Sequence, residues 1–200
     1  MSTKTDSDEH SLEMHLPYIY HIFKENHESG KPPPLVPILV GNTSPSVEKA
    51  FGAILAPYLA DPDNVFVISS DFCHWGARFS YTYYLPSSTS DPAKGMSLRS
   101  RDKPGNPPIY NSIARIDKLA MESVESGQHD AFLATLRDTG NTVCGRHPIG
   151  VIMAAIEVLK LEGKIDQDKG KFTFVRYERS GEVEECSDSS VSYASAFAVI

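Results

Sequence analysis

The segment most informative about the fold is VFVISSDFCHWG, residues 65–76. Its first six residues are apolar or small and rich in β-branched side chains, which predicts a strand buried on both faces. Such strands are typical of parallel sheets that are covered by helices. The polar residues from Ser69 onward would then lie at the carboxyl end of the strand, where open α/β sheets bind their ligands.

The segments on either side alternate between extended and helical patterns. LVPILVG (35–41) predicts another strand, although Pro37 cannot donate a ladder hydrogen bond. Residues 45–60 predict the clearest helix, which begins at a capping Ser44. The remaining patterns predict helices at 11–29, 109–125, 129–138 and 147–162, and strands at 171–177 and 191–200. Residues 1–200 are therefore predicted to form a single α/β domain, with a mostly parallel or mixed sheet and helices on both faces.

Residues 86–108 differ in composition from the rest of the chain. They are rich in serine, proline, glycine and charged residues and contain few apolar side chains. Such a segment buries too little surface to offset the entropy lost on ordering. We therefore predict a mobile surface insertion that the fold does not need.

Composition and charge exclude several classes of function. The chain has 200 residues, 40% apolar and 22% charged, as in ordinary soluble globular proteins. Its net charge of −7 argues against a nucleic-acid or anionic-membrane partner. No apolar run reaches the roughly 18 residues of a membrane-spanning helix, and the first ten residues do not resemble a secretory signal. Three cysteines without CxxC spacing indicate neither a disulfide framework nor a structural zinc site. The expected location is the cytoplasm.

Asp71 and His74 follow the predicted strand and lie three residues apart. A carboxylate beside an imidazole fixes its tautomer and favours its charged form, as in many general acids and bases. The alternative is structural: Asp71 caps the turn, and His74 stacks on Trp75. The pattern alone leaves both interpretations open.

Cys144 lies just before the predicted helix 147–162. A helix N-terminus and the neighbouring Arg146 favour the thiolate, which is both a nucleophile and a soft metal ligand. Gly145 allows another backbone to approach closely there. The alternative is a buried and unreactive cysteine, the commoner state of a single one.

A third group of ionisable residues, DEHSLEMH (8–15), begins the first predicted helix. His10 and His15 are five residues apart, so they do not share a helical face as paired metal ligands do. Capping of the helix by solvated acidic residues is the alternative. From its residues alone, the chain is an α/β domain with a pocket of His, Asp and Cys side chains.

Four segments of the chain closely resemble the Memo family, named for a mediator of growth-factor-receptor-driven cell motility. They are DEHSLEMHLPY (8–18), SSDFCHWGARFSYTYY (69–84), NTVCGRHPIGV (141–151) and DSSVSYAS (188–195). The resemblance covers most of the chain outside 86–108. It implies an α/β fold similar to that of LigB-type class III extradiol ring-cleaving dioxygenases.

The family resemblance also implies roles for single residues. Its members bind a redox-active metal, iron or copper, through two histidines and one cysteine. Cys144 is then the cysteine ligand, His74 the acid–base histidine with Asp71 beside it, and His10 a residue of the same pocket. The two family histidines lie in motifs resembling APHAGY and GPSHH, which do not occur in this sequence. The chain therefore resembles the C-terminal two thirds of a family member, an N-terminally incomplete domain. We expect iron binding to be weak or absent, with Cu(I) the one ion bound measurably.

Three functions follow as hypotheses. The resemblance implies a cytosolic regulator that links signalling to the cytoskeleton and cell motility, with signalling or cytoskeletal proteins as partners. The second hypothesis is a non-haem iron dioxygenase that acts on an aromatic diol, although a cysteine ligand favours softer metals such as copper. The third is an inactive fragment. Oxygen consumption with catechols tests the second hypothesis, and a cooperative thermal melt contradicts the third.

Overall fold

The structure, a computed structural model, describes residues 2–26 and 33–200. The chain divides into two compact units, residues 1–41 and 42–200. In the first unit, helix α1 spans Thr3–Asp8 and helix α2 spans Leu16–Asn26, preceded by a 3-10 turn at Glu13–His15. These elements confirm most of the helix predicted over 11–29, of which residues 27–29 lie outside the described part. The strand predicted at 35–41 is wrong, because these residues belong to no strand; four of their apolar side chains, Leu35, Val36, Ile38 and Leu39, are exposed.

The second unit contains four long helices. Their bounds match the four predicted helices within two residues: Pro45–Leu59 (α3), Ile109–Glu125 (α4), His129–Thr139 (α5) and Arg146–Leu161 (α6). Within residues 2–26 and 33–200, no helix is both long enough and apolar enough to span a membrane.

Helix α3 packs against α6 through small residues. A Cβ atom added to Gly52 would lie 2.8 Å from both the Ala154 Cβ and the Ala155 backbone nitrogen. The close approach of the two helices therefore requires glycine at this position. Because Gly52 faces α6, the side of α3 that carries Glu48, Gly52 and Ala56 is the buried one. Four larger apolar side chains of the helix remain exposed: Val47, Phe51, Ile54 and Tyr58.

A buried carboxylate links three of these helices. Glu48 on α3 is 1% exposed; its Oε2 lies 2.7 Å from His129 Nε2 on α5, and its Oε1 lies 2.6 Å from His147 Nδ1 on α6. A buried charge without partners costs several kcal/mol, so the two imidazoles allow Glu48 to occupy the helix interface.

The strands of the second unit form two antiparallel sheets. They are His74–Trp75 (β1), Tyr83–Tyr84 (β2), Met96–Ser97 (β3), Thr173–Arg179 (β4) and Ser190–Phe197 (β5). One sheet has the order β1-β5-β4, and β2 pairs with β3 in the other. Strands β4 and β5 confirm the two predicted C-terminal strands. The mostly parallel or mixed sheet is wrong, since every strand pair in the described residues is antiparallel.

The strand predicted over residues 65–70 is also wrong. These residues form no strand, and Val65 and Val67 are 69% and 49% exposed. Pairing with β5 begins only at Phe72, whose N–H donates to the Ser192 carbonyl at 2.8 Å. An apolar, β-branched pattern favours extended backbone, but it does not determine whether a partner strand lies beside it.

The segment 86–108 makes contacts that its composition did not predict. Leu98 is 8% exposed and belongs to a core cluster with Trp75 and Ile113. The Arg115 guanidinium on α4 donates hydrogen bonds to the carbonyls of Pro86 and Thr89 at 3.1 and 3.0 Å. The mobility of the segment as a whole stays a prediction, while Leu98 attaches part of it to the core.

Replacing Leu98 with alanine is expected to lower the free energy of unfolding by about 2–4 kcal/mol, because the change leaves a cavity in that cluster. Met96 on β3 provides a matched control: it is 53% exposed, and Met96→Ala should change the stability by less than about 0.5 kcal/mol. Urea denaturation of the three proteins measures both values. A loss below about 1 kcal/mol for Leu98→Ala would mean that the segment is as dispensable as its composition suggests.

Candidate functional site

Two chain segments lie side by side at the candidate site. The Cys144 N–H donates to the Asp71 carbonyl at 3.3 Å, and the His74 N–H donates to Thr142 Oγ1 at 2.8 Å. These hydrogen bonds hold residues 71–74, at the beginning of β1, against the loop that precedes α6.

Gly145 allows this close approach, as the sequence predicted. A Cβ atom at this position would lie 2.4 Å from both the Ser69 carbonyl oxygen and the Ser70 Cβ. The Gly145 N–H instead donates to Ser70 Oγ at 3.0 Å. A larger residue at 145 would push Cys144 away from Asp71.

The three side chains singled out from the sequence converge here. Asp71, His74 and Cys144 each offer one ligand atom, and these atoms lie within 4.8 Å of one another. His74 Nε2 lies 3.5 Å from Asp71 Oδ2. Within the described residues this nitrogen is buried and makes no hydrogen bond. A buried nitrogen that makes no hydrogen bond is costly, which suits an atom that binds a ligand.

Cys144 is exposed, and its sulfur interacts with the backbone of the neighbouring segment. The Asp71 N–H donates to Cys144 Sγ at 3.0 Å, and α6 begins two residues later at Arg146. A hydrogen-bond donor and a helix N-terminus both present partial positive charge to an atom beside them. A thiolate, an imidazole and a carboxylate together suit iron, zinc or Cu(I) better than Mg²⁺ or Ca²⁺, which prefer oxygen ligands. The donor set therefore fits a transition-metal ion.

His74 does not stack on Trp75, as the structural alternative proposed. The Phe79 ring lies 5.2 Å from the His74 ring at an angle of 58°. Trp75, by contrast, is fully buried and donates its indole N–H to the Tyr83 carbonyl at 2.8 Å. His74 thus contacts Phe79 on one side and the Asp71 carboxylate at its Nε2 atom.

Two other histidines have surroundings that differ from those of His74. His147 is hydrogen bonded to the buried Glu48, which occupies its Nδ1 atom. His10 belongs to the first unit, where its side chain is exposed and its carbonyl accepts from the Met14 N–H at 3.0 Å. Next to His10, the Ser11 hydroxyl and nearby backbone N–H groups hold the pKa of Glu9 at about 2. The Glu9 carboxylate therefore acts as a capping group, which is the structural alternative given for this segment. A pocket role for His10 stays a prediction.

The sequence did not reveal the hydroxyl groups that join the two segments. Ser70 Oγ accepts the Gly145 N–H across 75 positions of sequence, and Thr142 Oγ1 accepts the His74 N–H across 68. A hydroxyl that bonds a distant backbone has no local sequence pattern. Only the position of each beside a candidate ligand could have indicated its role.

Cys144 is expected to be the most reactive of the three thiols. Burial raises the pKa of the Cys73 thiol well above its usual range and also raises that of Cys186. Cys144 is exposed, whereas the other two cysteines are buried, so an alkylating reagent reaches its sulfur most easily. Alkylation of the folded protein at neutral pH, followed by peptide mapping, should modify Cys144 first. Earlier labelling of Cys73 or Cys186 would contradict this assignment.

Comparison with known proteins gives a consistent result. A family model described as Memo-like protein matches residues 1–197. The chain is 44% identical over 200 residues to Protein MEMO1 from Danio rerio, covering 100% of this chain and 59% of that protein. It is 42% identical over 194 residues to Protein MEMO1 from Homo sapiens, with coverages of 97% and 57%. It is 39% identical over 199 residues to a MEMO1 family protein from Schizosaccharomyces pombe, with coverages of 99% and 62%. The chain spans about three fifths of the length of these relatives.

Proposed function

The chain belongs to the Memo family, and from this premise we propose that Asp71, His74 and Cys144 bind a redox-active metal ion, iron or copper. The observation that carries the proposal is the convergence of their three ligand atoms within 4.8 Å. Bound there, the metal would supply one-electron chemistry, which none of the three side chains provides by itself.

Each of the three residues has a distinct part in the proposed site. The Cys144 thiolate is the anionic anchor, and His74 contributes the Nε2 atom that makes no hydrogen bond among the described residues. Asp71 offers a carboxylate oxygen, while its backbone N–H and carbonyl hold the loop of Cys144 in place. We propose Cu(I) as the ion bound more tightly, because thiolate and imidazole are soft or borderline ligands. Three converging donors should bind it more tightly than Cys144 alone.

In the cell, we propose that the protein acts in the cytosol as a regulator that links signalling to the cytoskeleton. Support for this role comes from membership of the Memo family. Its partners would be signalling or cytoskeletal proteins. The metal site would make this activity sensitive to redox conditions, since a thiolate ligand is itself oxidisable.

A second candidate function rests on the Asp71–His74 pair. An unpaired imidazole nitrogen 3.5 Å from a carboxylate can accept a proton from a bound hydroxyl group. The same pair would serve an extradiol-type dioxygenase, whose fold the family resembles. Oxygen consumption with catechols by the iron-loaded protein tests this candidate. Consumption that His74→Ala abolishes while iron is retained would favour it over a purely regulatory site.

Metal retention tests the proposed site. The protein is loaded anaerobically with Cu(I) or Fe(II), desalted and examined by elemental analysis. We expect about one copper per chain and less iron. Cys186→Ser serves as the matched control, because that cysteine is buried outside the site, and this variant should retain copper like the wild type. Retention of no copper by the wild type would refute the proposal.

A further inference from the structure

Asp117 is a fully buried carboxylate on α4 that lies outside the group of three ligand atoms. Its Oδ1 accepts hydrogen bonds from the Cys73 N–H at 3.1 Å and from Asn141 Nδ2 at 3.0 Å. Its Oδ2 accepts one from the Tyr177 hydroxyl at 2.8 Å. Burial raises the pKa of Asp117, although these donors act in the opposite direction.

The two hydrogen bonds to Oδ1 come from the two segments that carry the candidate site. Cys73 lies between Asp71 and His74 in the chain. Asn141 begins the loop that leads to Cys144. Asp117 Oδ1 therefore accepts one hydrogen bond from each of the two segments, on the side that faces the core.

The Oδ2 side connects the same carboxylate to the sheet. The Tyr177 hydroxyl on β4 also lies 3.2 Å from Ser192 Oγ on β5. The backbone of Ser192 accepts from the Phe72 N–H at 2.8 Å and donates to the Cys73 carbonyl at 2.9 Å. The carboxylate is thus held by α4 and by two strands, and a group so fixed can serve as a rigid reference point.

We propose that Asp117 is a positioning residue that sets the distance between the Asp71–His74 segment and Cys144. Two donors that share one acceptor oxygen cannot shift independently of each other. Without that oxygen, the Cys73 N–H and the Asn141 amide would be buried and unpaired, and both segments would move to satisfy them. Only the consequence for metal affinity rests on the proposed function, since the spacing itself does not require a metal.

The spacing can be measured with a disulfide between Cys144 and a thiol introduced by Asp71→Cys. The Asp71 N–H already contacts Cys144 Sγ at 3.0 Å, so the two thiols should meet. The equilibrium constant of this disulfide against glutathione, in the folded protein, reports how often the segments are correctly spaced. Two variants are combined with Asp71→Cys: Asp117→Leu removes both acceptor oxygens, and Asp117→Asn keeps one.

Ser112→Ala is the matched control on the same helix. The Ser112 hydroxyl is buried and accepts the Leu85 N–H at 2.7 Å, so its loss also leaves a buried donor unpaired. Asn141→Ala is a milder variant in case Asp117→Leu does not fold. It removes one of the two donors that share the oxygen.

We expect Asp117→Leu to lower the disulfide equilibrium constant by about tenfold or more, and Asn141→Ala to lower it by about fivefold. Asp117→Asn should keep the equilibrium constant within about threefold of the value for Asp71→Cys alone. Ser112→Ala should keep it within about twofold of that value. Equal effects of Asp117→Leu and Ser112→Ala, or an unchanged constant in Asn141→Ala, would overturn the proposal. In chains that retain Asp71, copper affinity should fall in the same order. If the wild type binds no copper, the proposed function fails while the disulfide series still decides the role of Asp117.

Discussion

Replacing Glu48 with alanine is expected to lower the free energy of unfolding by about 3–5 kcal/mol, the typical cost of removing one partner from a buried carboxylate–imidazole contact. The carboxylate is 1% exposed and is the partner of His129 Nε2 at 2.7 Å and of His147 Nδ1 at 2.6 Å. Its removal leaves a cavity and two imidazoles without their acceptor at the junction of α3, α5 and α6. Urea denaturation at neutral pH measures the loss.

Glu122 on α4 provides the control for this prediction. Its side chain is 54% exposed and lies 3.6 Å from the Lys118 ammonium group, one helical turn away. Glu122→Ala should therefore change the stability by no more than about 0.5 kcal/mol. If Glu48→Ala and Glu122→Ala have similar effects, the carboxylate of Glu48 does not hold the three helices together.

Replacing Cys144 with serine is expected to weaken Cu(I) binding by about 100-fold or more, which corresponds to at least about 2.7 kcal/mol. The thiolate is the one soft anionic donor among the three ligand atoms, and a hydroxyl group cannot replace it. His74→Ala should weaken binding by about tenfold or more, because it removes the imidazole donor. Competition with a chromophoric Cu(I) chelator measures these affinities.

Cys73→Ser is the control for these two variants, because it changes a cysteine beside the site without removing a ligand atom. Cys73 is buried next to His74, but its thiol is not among the three convergent ligand atoms. This variant should bind Cu(I) within about threefold of the wild type. Equal losses in Cys73→Ser and Cys144→Ser would indicate a general structural effect instead of lost coordination.

The helices were predictable because their pattern is local. A stripe of apolar residues with a capping serine fixes Pro45–Leu59 from the sequence alone. The buried side of that helix was less predictable, since the close contact at Gly52 depends on Ala154 and Ala155 of a distant helix. The strand predicted at 65–70 failed for a related reason: a strand requires a partner, which a local pattern does not specify.

The side chains of the candidate site were predictable from the sequence, but the residues that support them were not. Asp71, His74 and Cys144 stand out because each combines a reactive side chain with a turn or a helix start. Asp117 has no such context, as it lies within an ordinary amphipathic helix, and its role depends on donors that are 44 and 24 positions away. Leu98 is similar, because an isolated leucine in a polar segment gives no sign that it reaches the core.

The most direct test of the account is X-ray absorption at the copper edge of the Cu(I)-loaded protein. The proposed site predicts one sulfur ligand per copper, from Cys144, together with at least one imidazole ligand from His74. The sulfur contribution should be absent from the spectrum of any copper that Cys144→Ser retains. A wild-type spectrum without sulfur, or a sulfur contribution that persists in Cys144→Ser, would contradict the assignment of Asp71, His74 and Cys144 as the metal site.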